Sequence, residues 1–187
     1  MKDNKIKIYD MALIAMFAAV IAICAWLSVP AAVPFTMQTF GVFLTVGCLG
    51  GKKGTIAVLI YLLLGAVGVP VFAGFTGGPG RLIGTTGGYI FGFLFSALVM
   101  WASEGIFGRR KWVLLLSMVL GLLVCYGMGT AWFVLIYTKN TGPISFAAAL
   151  AKCVLPYVLP DIIKIALAFA VSTKLGAIIN KQKCFPG

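Results

Sequence analysis

WVLLLSMVLGLLVCYGMGTAWFVLIY, residues 112–137, is the most informative stretch of the chain because none of its 26 residues is charged. A transmembrane helix needs about 20 apolar residues to cross the hydrocarbon core of a bilayer. This stretch therefore predicts a membrane-spanning helix. The whole chain has the same character. Of its 187 residues, 61% are hydrophobic and 10% are charged, and its mean hydropathy is +1.08, whereas a soluble domain is about half apolar and about a quarter charged.

Five further apolar runs surround this stretch. They cover residues 11–27, 37–50, 55–69, 87–103 and about 158–179. The runs at 37–50 and 55–69 are short for a full span, so each is predicted to be tilted, partly buried or part of a tight helical hairpin. The six runs together predict an all-α bundle of six transmembrane helices that forms a single domain over residues 1–187. A secretory signal peptide is the alternative for the first run, although everything downstream is equally apolar.

The basic residues predict how this bundle is oriented. The chain has 15 Lys and Arg residues against four acids. Eleven of the 15 lie in clusters near the N-terminus, at Lys52 and Lys53, at residues 109–111 and near the C-terminus. These clusters fall on alternate ends of the six predicted spans, so the positive-inside rule places both termini in the cytoplasm. Nucleic acid is not an expected partner, because the charges form short clusters between apolar runs rather than one continuous face.

Several kinds of chemistry lack the residues they need. The sequence has no histidine, which excludes His-dependent triads, His metal sites and His proton relays. Its five cysteines are scattered and have no C-x-x-C spacing, so they are read as small buried hydrophobes rather than metal ligands. No phosphate-binding G-x-x-x-x-G-K-S/T occurs. The chain is therefore predicted to be neither an enzyme nor a nucleotide hydrolase, and no cofactor or metal is expected.

Asp161 and Lys164 are the strongest candidates for a binding site. An ionisable side chain inside a span costs at least a few kcal/mol, and these two lie three residues apart, on one face of the last predicted helix near its outer end. The alternative is a purely structural pair, with Asp161 complementing a helix N-terminus after Pro160 and Lys164 snorkelling outward. A self-neutralised pair contributes little stability, so a ligand-binding role is favoured.

Two outer segments add further candidates, although both also fit ordinary connections. The glycine-rich segment 71–86 carries a single arginine, Arg81, whose planar guanidinium suits a carboxylate. The segment 30–40 has no charge but offers hydroxyl and amide groups, and aromatic residues near the same end predict a lid and an apolar wall. Together with Asp161 and Lys164, the candidate substrate-binding residues are Arg81, Gln38, Thr36, Tyr89, Phe75, Gly84, Trp132 and Tyr157.

Three stretches carry a resemblance to a known family. VPFTMQTFGVFL at 33–44, YLLLGAVGVPVFAGFTGGPGRLIGTTGGYIFGF at 61–93 and LPDIIK at 159–164 resemble the BioY family, the biotin-specific S components of energy-coupling factor (ECF) transporters. The likeness covers most of the chain and is densest from Gly65 to Phe93. One departure occurs at 84–87, GTTG, where the family often has a proline after the first glycine.

The resemblance implies a multi-pass protein of the cell membrane, surrounded by lipid, with six helices and an outward-facing biotin site. It also implies partners, namely a transmembrane coupling protein and two ATPases. In such a site Asp161 would accept from ureido N–H groups, and Lys164 would donate to the ureido carbonyl or pair with the biotin carboxylate, for which Arg81 is the alternative. The family's Ala-x-x-x-Ala partner surface would fall on Ala15 and Ala19, although the spacing by itself is equally explained by packing within the bundle.

Three other classes of protein fit the residues less well. A self-sufficient ion-coupled transporter is expected to carry acids or broken helices near the membrane midplane, often in repeated halves, whereas Asp161 is predicted near the outer end. A membrane enzyme would need paired acid–base groups, yet Glu104 and Asp161 are predicted on opposite sides of the bilayer. A purely structural or assembly protein would have no need for buried charges.

Overall fold

The computed structural model describes residues 8–30 and 33–182, with side chains as far as residue 179. The chain is predominantly helical within these residues. Its elements are α1 (Ile8–Trp26), β1 (Ser28–Val29), β2 (Phe35–Thr36), α2 (Gln38–Leu49), α3 (Gly51–Val67), α4 (Pro79–Ile83), α5 (Gly87–Phe107), α6 (Lys111–Asn140), α7 (Phe146–Cys153) and α8 (Leu155–Gln182). Lys2, Lys5, Lys7 and Lys183 of the predicted terminal clusters lie outside the described residues, as does the side chain of Lys181.

Four of the described helices are long and apolar enough to cross a membrane. They are α1, α5, α6 and the part of α8 at Leu155–Ile179. The uncharged stretch that begins at Trp112 lies inside α6, whose 30 residues extend about 45 Å at 1.5 Å per residue. The hydrocarbon core is about 30 Å thick, so α6 is longer than a perpendicular span requires.

The two short apolar runs form a tight helical hairpin. α2 and α3 are separated by Gly50 alone, which adopts a φ of 83° that favours glycine. The two helices touch closely, because a Cβ added at Gly54 would lie 2.5 Å from Val46 Cα. Of the 12 residues of α2, 11 are buried, and α2 contacts α1, α3, α5 and α8. α2 therefore lies inside the bundle, where protein rather than lipid surrounds it.

Glycines bring α5 and α6 together. A Cβ added at Gly88 would lie 2.2 Å from Trp132 Cβ, and one added at Gly129 would lie 2.2 Å from the ring of Tyr89. These separations are shorter than van der Waals contact, so only glycine permits the observed approach. Close packing through small residues is the usual way for helices to associate in lipid, where water does not drive them together.

Side chains from the last turn of α5 and from the α5–α6 turn bind the α2–α3 turn. Arg109 donates to the carbonyls of Gly47 and Cys48 at 3.0 Å each, at the end of α2. Glu104 Oε2 accepts from the backbone N–H of Gly51 at 2.6 Å, at the start of α3. Each charge is thus matched to the helix end that attracts it. Glu104 therefore lies at the end of α2, whereas Asp161 faces the same cavity as Gln38, which begins α2. The two acids are far apart, as expected from the sequence.

One predicted boundary needs correction, and two of the alternatives differ from the structure. The last long helix begins at Leu155 rather than near Val158, and Pro160 lies inside it. Asp161 is therefore not in the first turn, so it does not complement a helix N-terminus. The glycine-rich segment 71–86 is also more ordered than a simple connector, since it contains α4, which begins with Pro79. Proline favours the first turn of a helix because its φ is preset and its missing N–H is not needed there.

Candidate ligand-binding site

A cavity lies where the β1–β2 segment, the start of α2, the glycine-rich segment and helices α5 to α8 meet. Its empty space, including the part open to solvent, is about 730 Å³. Apolar side chains such as Phe72, Ile90, Phe93 and Leu122 form much of its wall. Seven of the ten predicted binding residues line it: Asp161, Lys164, Arg81, Gln38, Thr36, Tyr89 and Tyr157.

Asp161 and Lys164 form a buried ion pair that faces the cavity. Each residue is 4% exposed, and Lys164 Nζ lies 2.7 Å from Asp161 Oδ1. The Lys164 ammonium also lies 4.1 Å from the centre of the Phe35 ring, a cation–π contact that further stabilises its charge. Both charges remain next to empty space, so a ligand that enters the cavity meets an acceptor and a donor side by side.

Gln38 is held by its neighbours in one orientation. Its Oε1 accepts from Thr36 Oγ1 at 3.0 Å, and its Nε2 donates to the Tyr61 hydroxyl at 2.6 Å. Thr36 Oγ1 in turn accepts from the backbone N–H of Gln38 at 3.2 Å. Because a primary amide carries two N–H donors and two acceptor lone pairs, Gln38 keeps one donor and one acceptor position for a ligand.

Arg81 is exposed, unlike the two buried charged residues of the cavity. It lies in the last turn of α4. Its guanidinium has no hydrogen-bond or salt-bridge partner among the described residues. A guanidinium at a cavity rim without a partner can receive an anionic group in two parallel hydrogen bonds.

Tyr89 and Tyr157 are fixed by hydrogen bonds to opposite parts of the wall. The Tyr89 hydroxyl pairs with Thr130 Oγ1 at 3.3 Å, and its ring packs against Gly129. The Tyr157 hydroxyl donates to the carbonyl of Val33, and its ring stacks on Phe35 with centroids 6.2 Å apart. Tyr157 thereby ties the segment that follows β1 to α8.

Phe75, Gly84 and Trp132 do not line the cavity, although the sequence grouped them with the binding residues. Phe75 stacks on Trp26 with ring centroids 5.0 Å apart and is 65% exposed. Trp132 Nε1 donates to the carbonyl of Gly84 at 2.9 Å. These residues contact one another or neighbouring outer segments instead of the cavity. The direction of each side chain depends on tertiary packing, which its position in the sequence does not reveal.

Sequence reasoning missed Tyr126, whose hydroxyl donates to Asp161 Oδ2 at 2.6 Å. With Leu122 and Cys125 it forms the face of α6 that lines the cavity, at the three- and four-residue spacing of one helical face. The only signal in the sequence was a hydroxyl within an apolar run. Tyrosine is common in membrane helices, so this residue was readily interpreted as a packing residue. Thr86 and Cys153 also line the cavity and were not singled out from the sequence. Thr39, one of the hydroxyl groups that the segment 30–40 offers, lines it as well.

The cavity combines a buried acceptor–donor pair, a fixed amide, an apolar wall and, at the rim, a cation that no other described residue pairs with. It is suited to a small molecule with a polar head, an apolar middle and an anionic end. No group of three or more Cys, Asp and Glu side chains within residues 8–30 and 33–182 is arranged to hold a metal ion. The fold and the cavity define the class of a helical membrane protein with a binding site for a small organic anion.

Comparison with known proteins gives the family. The sequence model of the BioY family matches residues 1–181, and the chain belongs to this family. The biotin transporter BioY of Thermotoga maritima is 41% identical over 165 residues, which are 86% of this chain and 91% of that protein. The probable biotin transporter BioY of Pyrococcus horikoshii is 39% identical over 170 residues, which are 90% of this chain and 97% of that protein.

A solved structure has the same fold. It is the crystal structure of the S-component for biotin from an ECF-type ABC transporter, with a TM-score of 0.81, 26% identity and 94% of each chain covered. The BioY family consists of transporters, not enzymes. Together with the four helices of span length, family membership makes the chain a multi-pass membrane protein.

Proposed function

We propose that the chain is the biotin-binding S component of an ECF-type vitamin transporter. The observation that supports this most strongly is the buried Asp161–Lys164 pair beside the cavity, with an unpaired Arg81 at its rim. Biotin offers matching chemistry, because it has a ureido ring with two N–H donors and a carbonyl, an apolar thiophane ring and a carboxylate tail. The relatives are biotin transporters and the structural neighbour is an S-component for biotin, so both point to the same ligand.

In the proposed complex the ureido ring occupies the deep, buried end of the cavity. Asp161 accepts from a ureido N–H, and Lys164 donates to the ureido carbonyl while keeping its contact with Asp161. A buried pair that already neutralises itself is better suited to a neutral ring with donors and an acceptor than to a second anion. Gln38 and Thr36 add polar contacts at the start of α2, and Tyr89 and Tyr157 complete the wall.

The carboxylate tail then extends toward Arg81. Arg81 is exposed and unpaired among the described residues, so meeting an anion breaks no existing ion pair. Between the two polar ends, the thiophane ring and the aliphatic chain contact the apolar wall, where burial contributes about 25 cal/mol per Å² of surface removed from water. Apolar enclosure thus supplies much of the affinity, and the polar groups select the ligand.

We further propose six spans with both termini in the cytoplasm and the cavity open to the outside. In this arrangement the α2–α3 hairpin contributes two of the six spans, with α2 shielded from lipid by its neighbours. The described basic clusters at 52–53 and 109–111 lie together at the α2–α3 end of the bundle. This placement agrees with the positive-inside rule.

Transport requires partners, because a ligand shifts a conformational equilibrium only by its differential affinity for the two states and cannot drive its own accumulation. We propose a coupling protein and two ATPases as the energy source. Ala15 and Ala19 on α1 are both exposed, whereas Ala18 and Ala22 are buried. The Ala-x-x-x-Ala pair therefore presents a smooth outer face on which a partner helix can pack closely.

Two measurements test the proposed ligand. Mass spectrometry of small molecules released from the purified, unfolded protein is expected to detect biotin without assuming the family. Calorimetry is expected to show biotin binding to the wild-type protein and a large loss of affinity for Asp161→Asn, with normal membrane insertion. A wild-type protein that binds no biotin, or an Asp161→Asn variant with unchanged affinity, refutes the proposed site.

A further inference from the structure

The Asp161 carboxylate is held by donors from two different helices. Lys164 of α8 donates to Oδ1 at 2.7 Å, and Tyr126 of α6 donates to Oδ2 at 2.6 Å. Tyr126 itself lines the cavity. The carboxylate group is therefore held against rotation. The terminal torsion of an aspartate side chain otherwise has a broad distribution with no sharply preferred angle.

We propose that Tyr126 is a positioning residue that determines which polar head the cavity accepts. This inference rests on the proposed function, since it concerns how Asp161 recognises the ureido ring. An ionised carboxylate has about four lone-pair positions and no donor. Lys164 and Tyr126 take one position on each oxygen, and the remaining positions accept only N–H or O–H groups. With the plane of the carboxylate fixed, those positions point in set directions, so a ring with an N–H at the right place binds more tightly than a ring without one.

The surroundings make this fixed geometry effective. Lys164 is itself held over the Phe35 ring at 4.1 Å, so it cannot follow a rotating carboxylate without losing that contact. Asp161 and Lys164 are both 4% exposed, and a hydrogen bond to a charged group is stronger away from water. Without the Tyr126 hydroxyl, only the bond from Lys164 would orient Asp161, and the ligand would have to fix the carboxylate on binding.

A purely structural role for Tyr126 makes a different prediction. In that case the hydroxyl only ties α6 to α8, and its loss would weaken every ligand of the cavity by the same factor. A positioning role affects only ligands that donate to Asp161. The two roles are therefore separated by a pair of ligands that differ in one ureido N–H.

The experiment compares Tyr126→Phe with the wild-type protein, using biotin and a biotin methylated at the one of its two ureido nitrogens that donates to Asp161. Competition against radiolabelled biotin measures both affinities, including weak ones. Loss of one charge-assisted hydrogen bond is expected to weaken biotin by about tenfold, while the methylated analogue binds both proteins equally. The preference for biotin over the analogue should therefore fall about tenfold. Tyr137→Phe is the matched control, because Tyr137 is on the same helix and its hydroxyl makes no hydrogen bond to another described residue.

Equal weakening of the two ligands, or a biotin affinity unchanged by Tyr126→Phe, overturns the positioning role. Thermal unfolding of the ligand-free proteins shows whether the variant is folded, and one cooperative transition is expected, with a midpoint somewhat below that of Tyr137→Phe because a buried hydrogen bond to a carboxylate is lost. Failure of this inference is distinct from failure of the proposed function. If the wild-type protein binds biotin and Asp161→Asn weakens it while Tyr126→Phe does not, only the role of Tyr126 is wrong.

Discussion

Replacing Arg81 by glutamine tests which cation receives the biotin carboxylate. Glutamine keeps a polar side chain at the exposed rim but removes the charge and the paired N–H groups. A hydrogen bond to a charged group contributes about 1.5–3 kcal/mol. Because Arg81 is exposed and its charge is partly screened by salt, the lower end applies. The expected loss is about 1.5 kcal/mol, or about tenfold in Kd.

The assay is calorimetry of Arg81→Gln and wild-type protein with biotin and with biotinamide, in which the carboxylate is replaced by a neutral amide. Arg81→Gln is expected to weaken biotin about tenfold and to leave biotinamide nearly unchanged, because the amide brings no charge to the rim. The effect on biotin should shrink at high salt, since a screened charge contributes less. Lys139→Gln is the control, because Lys139 is exposed at the end of α6 and does not line the cavity.

Two results would refute this reasoning. If Arg81→Gln weakens biotin and biotinamide equally, Arg81 supports the shape of the glycine-rich segment rather than the carboxylate. If it leaves biotin affinity unchanged while wild-type protein still prefers biotin to biotinamide, another cation receives the carboxylate, and Lys164 is then the candidate.

Three further predictions concern the pair, the packing and the partner surface. Lys164→Ala should abolish measurable biotin binding and lower the thermal stability of the ligand-free protein, because removing one partner of a buried ion pair costs about 3–5 kcal/mol; an unchanged melting point would show that the pair is not buried in the working protein. Gly129→Ala should destabilise the folded protein by about 1–3 kcal/mol through overpacking against a facing tyrosine ring. Gly127→Ala, with nothing within 4 Å of its added Cβ, should be neutral or stabilise the fold by up to about 1 kcal/mol. Equal effects of the two substitutions in thermal unfolding would contradict the packing. Ala15→Trp with Ala19→Trp should abolish biotin uptake by cells but leave binding to purified protein intact, and normal co-purification with the ATPase complex would rule out that surface.

The elements that sequence reasoning located well are those determined by local hydropathy. The uncharged stretch in α6 and the run that begins α5 at Gly87 needed only enough consecutive apolar residues to satisfy the length of a span. The boundary of α8 was less accurate, because Pro160 reads as a helix start although the helix tolerates it in its interior. The α2–α3 hairpin was one of three alternatives, and choosing among them required knowing that α2 is surrounded by protein.

The cavity was harder to predict than the helices. Asp161 and Lys164 were visible because charge is rare in an apolar chain, and Arg81 because its segment holds no other cation. Tyr126 carried no such signal. The role of its hydroxyl depends on a hydrogen bond to Asp161, which is far away in the sequence. Trp132 was predicted to line the cavity wall because of its position along α6. The direction of its side chain depends instead on the close approach of α5 and α6, which glycines of both helices permit.

The charges of the cavity also predict that an acid is a better ligand than its amide. Asp161 and Lys164 neutralise each other, so the empty cavity carries one net positive charge from Arg81. Binding a carboxylate makes the complex of cavity and ligand neutral, whereas binding an amide leaves the charge of Arg81 uncompensated. An uncompensated charge becomes more costly as water is excluded. If the cavity closes over its ligand during transport, the neutral complex avoids that cost, so the preference for biotin over biotinamide should be greater in uptake by the assembled transporter than in binding to the isolated chain.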